Sequence, residues 1–168
     1  YQHSWSAGGD ALVAKRGINS IKDLKGKTVA IQKYGPHVDY FLKLVKDAGL
    51  SPKDVKIVWT KDLVGAKGDT PMAKLYQGNI DAAFVIIPDA LALTSNGNIG
   101  TGAEDSVKGA RIILSTKTAN RIISDVYAVR SDYFNKNKKD IKKFVQALFQ
   151  AEEKVRDIFS AKSGDEYT

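Results

Sequence analysis

The chain has 168 residues, a formal net charge of +7 and no cysteine. That length suits one domain with a full core, or one domain with pieces of a second, and the missing thiols exclude disulfides, cysteine nucleophiles and cysteine-ligated metals. No run approaches the roughly 18 apolar residues of a membrane-spanning helix, and the cations are spread along the chain, so the charge reads as a solvated face or a surface suited to anions or an acidic partner, not as a nucleic-acid site.

In chain order, the first element is an apolar strand over residues 11–15. Ser20 with Asp23 three residues on predicts a capped helical turn, ended by Gly26. Residues 27–32 are a second strand. Val38, Phe41, Leu42, Val45 and Ala48 then recur at helical spacing, and Gly49 closes that helix. Residues 55–59 form a third strand and 61–68 a loop. Asp69-Thr70-Pro71 opens a short helix over 72–77, stopped by Gly78. Residues 81–87 are nearly all apolar, as in a parallel strand covered on both faces. Pro88 ends that strand, and 89–93 suit one or two helical turns.

Residues 95–109 are rich in Gly, Ser, Asn and Thr and read as a long surface loop, with 97–102 mobile. Strands are predicted at 111–115 and 126–130, and a turn region at 131–137. A long helix runs from Asp140, and its stripe of Ile141, Phe144, Val145, Leu148, Val155, Ile158 and Phe159 is expected to pack in a core. The closing residues 163–168 do not look like a domain end. Strands alternate with helices, which predicts an α/β fold with a mostly parallel sheet and helices on both faces.

In open α/β sheets, ligands sit beyond the carboxyl ends of the strands, where helices present their N-termini. Residues 33–37, 68–71 and 87–89 are such places. A helix start offers unpaired N–H groups and about half a positive charge, which favours an anion or a hydrogen-bond acceptor. Each candidate also has a purely structural use: Gly35 in a tight turn, Tyr34 at a core edge, His37 on the surface, Thr70 and Asp89 as caps. There is no Gly-x-Ser-x-Gly elbow, no Walker loop and no Gly-x-Gly-x-x-Gly after a strand. No carboxylate pair stands out, and His3 and His37 lie far apart in sequence. No cofactor and no metal are expected, and the pattern points to binding rather than catalysis.

Four stretches together resemble the solute-binding proteins of ABC importers, in the nitrate/sulfonate/taurine and thiamine-pyrimidine-precursor branch. They are Ser6-Ala-Gly-Gly-Asp-Ala-Leu-Val13, Ile18-Asn-Ser-Ile-Lys-Asp-Leu-Lys-Gly-Lys-Thr-Val-Ala30, Ala48-Gly-Leu-Ser-Pro-Lys-Asp-Val55 and Gly78-Asn-Ile-Asp-Ala-Ala83. With the closing Asp125-Val-Tyr-Ala-Val-Arg-Ser-Asp-Tyr-Phe134, the likeness covers nearly the whole chain.

The resemblance implies a type II periplasmic-binding fold of two α/β lobes that close on a ligand. Residues 1–25 would be a lobe-one segment leading into the hinge, with 11–15 a lobe-one strand. Residues 26–120 would be a complete second lobe, and 121–168 the return hinge strand and a lobe-one helix. By position it implies ligand contacts at Ser6, Gly8, Gly9, Tyr34, Gly35, His37, Thr70, Pro88, Asp89 and Asp125. Two features depart from the pattern: Ile87 stands where members often carry an aromatic, and the 95–109 loop is long. The implied protein is a monomer, periplasmic or lipid-anchored outside the cytoplasm. It would capture a small polar or anionic solute between its lobes and present it to a membrane permease. Two rivals share the fold: a cytoplasmic enzyme of menaquinone- or thiamine-pathway type, and the ligand-sensing half of a regulator. The yeast-type pyrimidine synthases of the branch carry a cysteine cluster that is missing here.

Overall fold

The computed structural model describes residues 1–104, 106–119 and 121–162; residues 163–168, the closing stretch that does not look like a domain end, lie outside it. Chain contacts divide it into a body of residues 2–126 and a smaller one made of Tyr1 with residues from Tyr127 on.

The larger body holds strands β1 (Gln2–Trp5), β2 (Asp10–Ala14), β3 (Thr28–Gln32), β4 (Lys56–Thr60), β5 (Ala82–Ile86), β6 (Arg111–Ser115) and β7 (Ser124–Val126), with helices α1 (His37–Asp47), α2 (Pro71–Tyr76) and α3 (Ile87–Leu93). Five strands form one sheet in the order β4-β3-β5-β2-β6. β3 is parallel to β4 and β5, and β2 is antiparallel to β5 and β6. The sheet is therefore mostly parallel, with one reversed strand set into it.

Side chains alternate across the sheet and make two cores. Leu12, Val29, Ile31 and Phe84 pack against Tyr40, Phe41 and Val45 of α1 on one face. Ala11, Val13, Ala30, Ala83 and Val85 pack against Met72 and Leu75 of α2 and Ala90 and Leu93 of α3 on the other. Helices on both faces explain why β2 and β5 are apolar at nearly every position.

Local chemistry sets the element ends. Asp23 accepts from the Ser20 amide, which fixes the turn at Ile21–Leu24. Gly49 takes φ +76° just past α1, a conformation that costs most other residues strain. The 95–109 loop is pinned: Gly100 N donates to Ala110 O at 2.8 Å, and Gly109 N donates to Gly100 O at 2.7 Å. A side chain at Gly100 would collide with the Val107 carbonyl. That close backbone approach, more than mobility, accounts for a glycine here.

Several expectations are corrected. The strand expected over 11–15 is Asp10–Ala14 at the centre of the main sheet, where Ala11–Ala14 are fully buried and covered on both faces. The contact-defined division falls after Val126, since β7 pairs with β1 and Ser6 N donates to Ile123 O at 2.7 Å. The strand expected at 126–130 is limited to Ser124–Val126, the span that β1 pairs.

In the smaller body, the turn expected at 131–137 is helix α4 (Ser131–Lys136), followed by α5 (Lys138–Ala161). Tyr1 N donates to Tyr127 O at 3.0 Å and Tyr127 N returns a bond to Tyr1 O at 2.8 Å. The α5 stripe is not core: no residue of that helix is buried, and Phe144 and Phe159 are 48% and 62% exposed. So little surrounding chain cannot enclose a helix of that length.

Candidate functional site

Strand polarity gathers the candidate residues. β3, β4, β5 and β6 all end at one edge of the sheet, and reversed β2 begins there: Asp10 pairs with Ile86, Ala11 with Ser115, and Gln32 with Thr60. The chain leaves these ends into residues 6–9, 33–36, 61–70 and 116–118. Ile87 N donates to Gly9 O at 2.8 Å, and Lys33 N donates to Thr60 O at 2.9 Å, so neighbouring loops are tied.

At the centre of this edge lies a buried carboxylate, Asp10. Its Oδ1 is 2.6 Å from His37 Nε2, and its Oδ2 accepts from Ser6 Oγ at 2.5 Å. An ionised carboxylate only accepts, so Nε2 of His37 carries the proton. Ser6 spends its single hydrogen on Asp10. Thr116 Oγ1, 2.7 Å from Ser6 Oγ, is therefore the donor of that pair. Thr116 Oγ1 in turn accepts from Gly8 N at 3.0 Å and Asp10 N at 3.2 Å. Gly8 adopts φ +101°, which turns its amide toward Thr116. Burial pushes the Asp10 carboxyl upward. Hydrogen bonds from His37 and Ser6, with the charge of His37, outweigh that and hold it below the ordinary carboxylate range. Behind the pair, burial and the Asp10 charge push the Tyr40 phenol up to about 12. His37 Nδ1 and the Tyr40 hydroxyl are buried without partners among the described residues.

Of the predicted contacts, Ser6, Gly8, Gly9 and His37 meet in this cluster. Tyr34 and Gly35 lie beside it; Tyr34 is 91% exposed in a left-handed turn at φ 59°, with Lys33 Nζ 5.1 Å from its ring centre. Thr70 serves as a cap: its hydroxyl accepts from Ala73 N at 3.0 Å and donates to Gly65 O at 2.5 Å. Asp89 is buried and accepts from Gly65 N at 3.1 Å. These two hold the 61–70 loop from both sides. Pro88 is exposed in the first turn of α3. Asp125 stands apart on β7, where it accepts from Ser4 Oγ at 2.7 Å. α2 is capped by its own Thr70, while α1 and α3 have no side-chain cap.

Asp10 and Thr116 were not among the predicted residues. Asp10 had a signal, since a lone acid heading an apolar strand directly after two glycines is costly to bury without a partner. Thr116 had none, because only the β2–β6 pairing brings it there.

A family model described as "NMT1/THI5 like" matches residues 8–157. The chain belongs to this family. It is 27% identical over 144 residues to the taurine-binding periplasmic protein of Escherichia coli (strain K12), covering 86% of this chain and 40% of that protein. It superposes with a TM-score of 0.69 on the alkanesulfonate-binding protein SsuA from Xanthomonas axonopodis pv. citri, solved bound to MOPS. The identity there is 19%, over 94% of this chain and 50% of that one. The fold is thus that of type II periplasmic binding proteins. It is also found in an enzyme: the desulfurization enzyme DSZB matches with a TM-score of 0.60 at 18% identity, over 93% of this chain and 56% of that one. The chain spans about half the length of these family relatives, or less.

Proposed function

We propose that this chain is the solute-binding component of an ABC importer, acting outside the cytoplasm, and that it captures a small anionic solute of the sulfonate class. The observation that carries this reading is the gathering of Ser6, Gly8, Gly9 and His37 at the carboxyl edge, beside the uncapped start of α1. Family membership and the taurine- and alkanesulfonate-binding relatives support the solute class. Residues 2–126 form one lobe in this reading, and residues 127–162 belong to another. Gly9, Tyr34 and Pro88, which are exposed, meet the solute together with Ser6, Gly8 and Gly35. Buried His37, Thr70 and Asp89 position the loops that carry them. Lys33 beside Tyr34, and Lys117 with its Cβ 3.6 Å from where a Gly8 Cβ would stand, supply positive charge at the rim. The loaded protein, a monomer, delivers its solute to a membrane permease.

Isothermal titration of the full-length protein with taurine and short alkanesulfonates tests this. One-to-one binding is expected, weakened by about 1–2 kcal/mol in Tyr34→Ala. Silence toward every sulfonate, nitrate and pyrimidine precursor would sink the proposal. A second reading, an enzyme, is favoured by the DSZB fold match; mass spectrometry of the titrated mixture separates the two, since a receptor returns its solute unchanged.

A further inference from the structure

We propose that the opposite, amino edge of the five-stranded sheet is a docking surface for an anionic lipid bilayer. The strand order builds it. β4 begins at Lys56, Lys27 precedes β3, Lys15 and Arg16 follow β2, and β6 begins at Arg111. Main-chain bonds hold the row together: Lys56 N donates to Lys27 O at 2.8 Å, Lys15 N donates to Asp81 O at 2.9 Å, and Ala14 pairs with Arg111. Neighbouring strands lie about 4.8 Å apart, so the row extends for about 19 Å. Lys22 in the Ile21–Leu24 turn and Lys53 in the Pro52–Asp54 turn widen it, joined to the edge by Gly26 N donating to Asp54 O at 2.7 Å.

Asp23, Asp54 and Asp81 stand among these cations and keep their negative charge, with Lys27 acting electrostatically on Asp23, but the cations of the row outnumber them. Asp23 accepts from Asn19 N and Ser20 N, both at 2.9 Å, Asp54 from Ser51 N at 2.8 Å, and Asp81 from Thr28 N at 2.8 Å. Asp47, at the end of α1, is taken by Lys43. Arg16, Lys22, Lys27, Lys53 and Lys56 are exposed, and none has an ion-pair partner among the described residues. The excess of positive charge on this edge favours contact with a negatively charged surface.

The composition selects the kind of anion. Protein interfaces are depleted in lysine and anchored by aromatic rings and arginine in packed pockets. The exposed aromatic rings of this body, Trp5, Tyr34 and Trp59, belong instead to β1 and the carboxyl ends of β3 and β4. Lysine is a flexible point charge without the bidentate geometry of arginine. An extended row of lysines without aromatic anchors suits a diffuse plane of phosphates, and each cation near such a surface adds to binding. This inference does not depend on which solute the carboxyl edge takes.

Sedimentation of the full chain with vesicles, about a third phosphatidylglycerol in phosphatidylcholine or phosphatidylcholine alone, tests it. Binding to the anionic vesicles only is expected, falling about tenfold or more when salt rises from about 50 to about 300 mM. The variant Lys22→Glu/Lys27→Glu/Lys53→Glu/Lys56→Glu should lose about tenfold or more. The same charge change on α5, Lys138→Glu/Lys139→Glu/Lys142→Glu/Lys143→Glu, should lose less than about threefold. The milder Lys27→Gln/Lys56→Gln pair should weaken binding in the same direction, and decides the matter if the fourfold variant does not fold. Equal losses in both fourfold variants, or no preference for anionic vesicles, overturns the proposal. Retention on immobilised polyglutamate without vesicle binding also overturns it, in favour of an acidic protein partner.

Discussion

The two edges of one sheet are built by opposite rules. At the carboxyl edge, charge is buried and answered: Asp10 accepts hydrogen bonds from His37 and Ser6, and Thr116 closes the chain back to the Gly8 amide. At the amino edge, charge is exposed and in excess, with lysines in a row and fewer carboxylates among them, each bonded to main-chain amides. The first arrangement spends polar groups on fixing loop geometry. The second leaves them for a partner. Their energetic signatures therefore differ, since a buried charge stripped of its partner is expensive while an exposed one is nearly indifferent.

The largest expected effect breaks the carboxyl edge. His37→Ala leaves Asp10 buried with one hydrogen bond fewer and opens a cavity beside Phe84, whose ring centre lies 6.0 Å from that of His37. The loss should be about 3–5 kcal/mol in urea unfolding. Lys27→Ala and Lys56→Ala, at the other edge, should each shift stability by less than about 0.5 kcal/mol. Equal costs at the two edges would erase the contrast.

A smaller effect separates the edges by pH. The folded Asp10 carboxyl sits below its ordinary range, so the unfolded chain binds its proton first as pH falls. The stability this group contributes is fully present above about pH 5 and is lost as pH drops below the unfolded value near about 4. Half-buried Asp23 and Asp69 and exposed Asp132 are also lowered and add a background of the same sign. Asp10→Asn should therefore be less stable than the parent at neutral pH and show a shallower fall on acidification. An unchanged acid slope would mean the carboxylate is not held by its partners.

How much of this was legible beforehand depended on the range of the signal. The turn capped by Ser20 and Asp23, the closing Gly49 and the Thr70-Pro71 helix start are short-range signals, and all three elements form as read. β1 was missed because Gln2–Trp5 carries no apolar alternation and becomes a strand only by pairing with β7. At the site, the family resemblance named Ser6, Gly8, Gly9 and His37 only among other positions, and the fold draws those four together, while Thr116, 106 residues beyond Asp10, carried no signal. The α5 stripe shows the converse: helical periodicity identified the helix correctly, but periodicity says only which face is apolar, not whether anything covers it.

The finest test asks where the buried polar cluster stops. Tyr40 is one helical turn from His37, its ring is 1% exposed and meets Phe84 edge-on at 5.6 Å, and its hydroxyl has no partner among the described residues. With the phenol pushed up to about 12 by burial and the Asp10 charge, it stays protonated at neutral pH. A buried hydroxyl without a partner carries a desolvation penalty that phenylalanine does not. Tyr40→Phe should thus be neutral or stabilising by up to about 1 kcal/mol, with the acid slope unchanged. A loss of more than about 1 kcal/mol would mean that a water joins this hydroxyl to His37 Nδ1. The carboxyl edge would then extend its network one turn deeper into α1, and the contrast between the two edges would sharpen rather than fail.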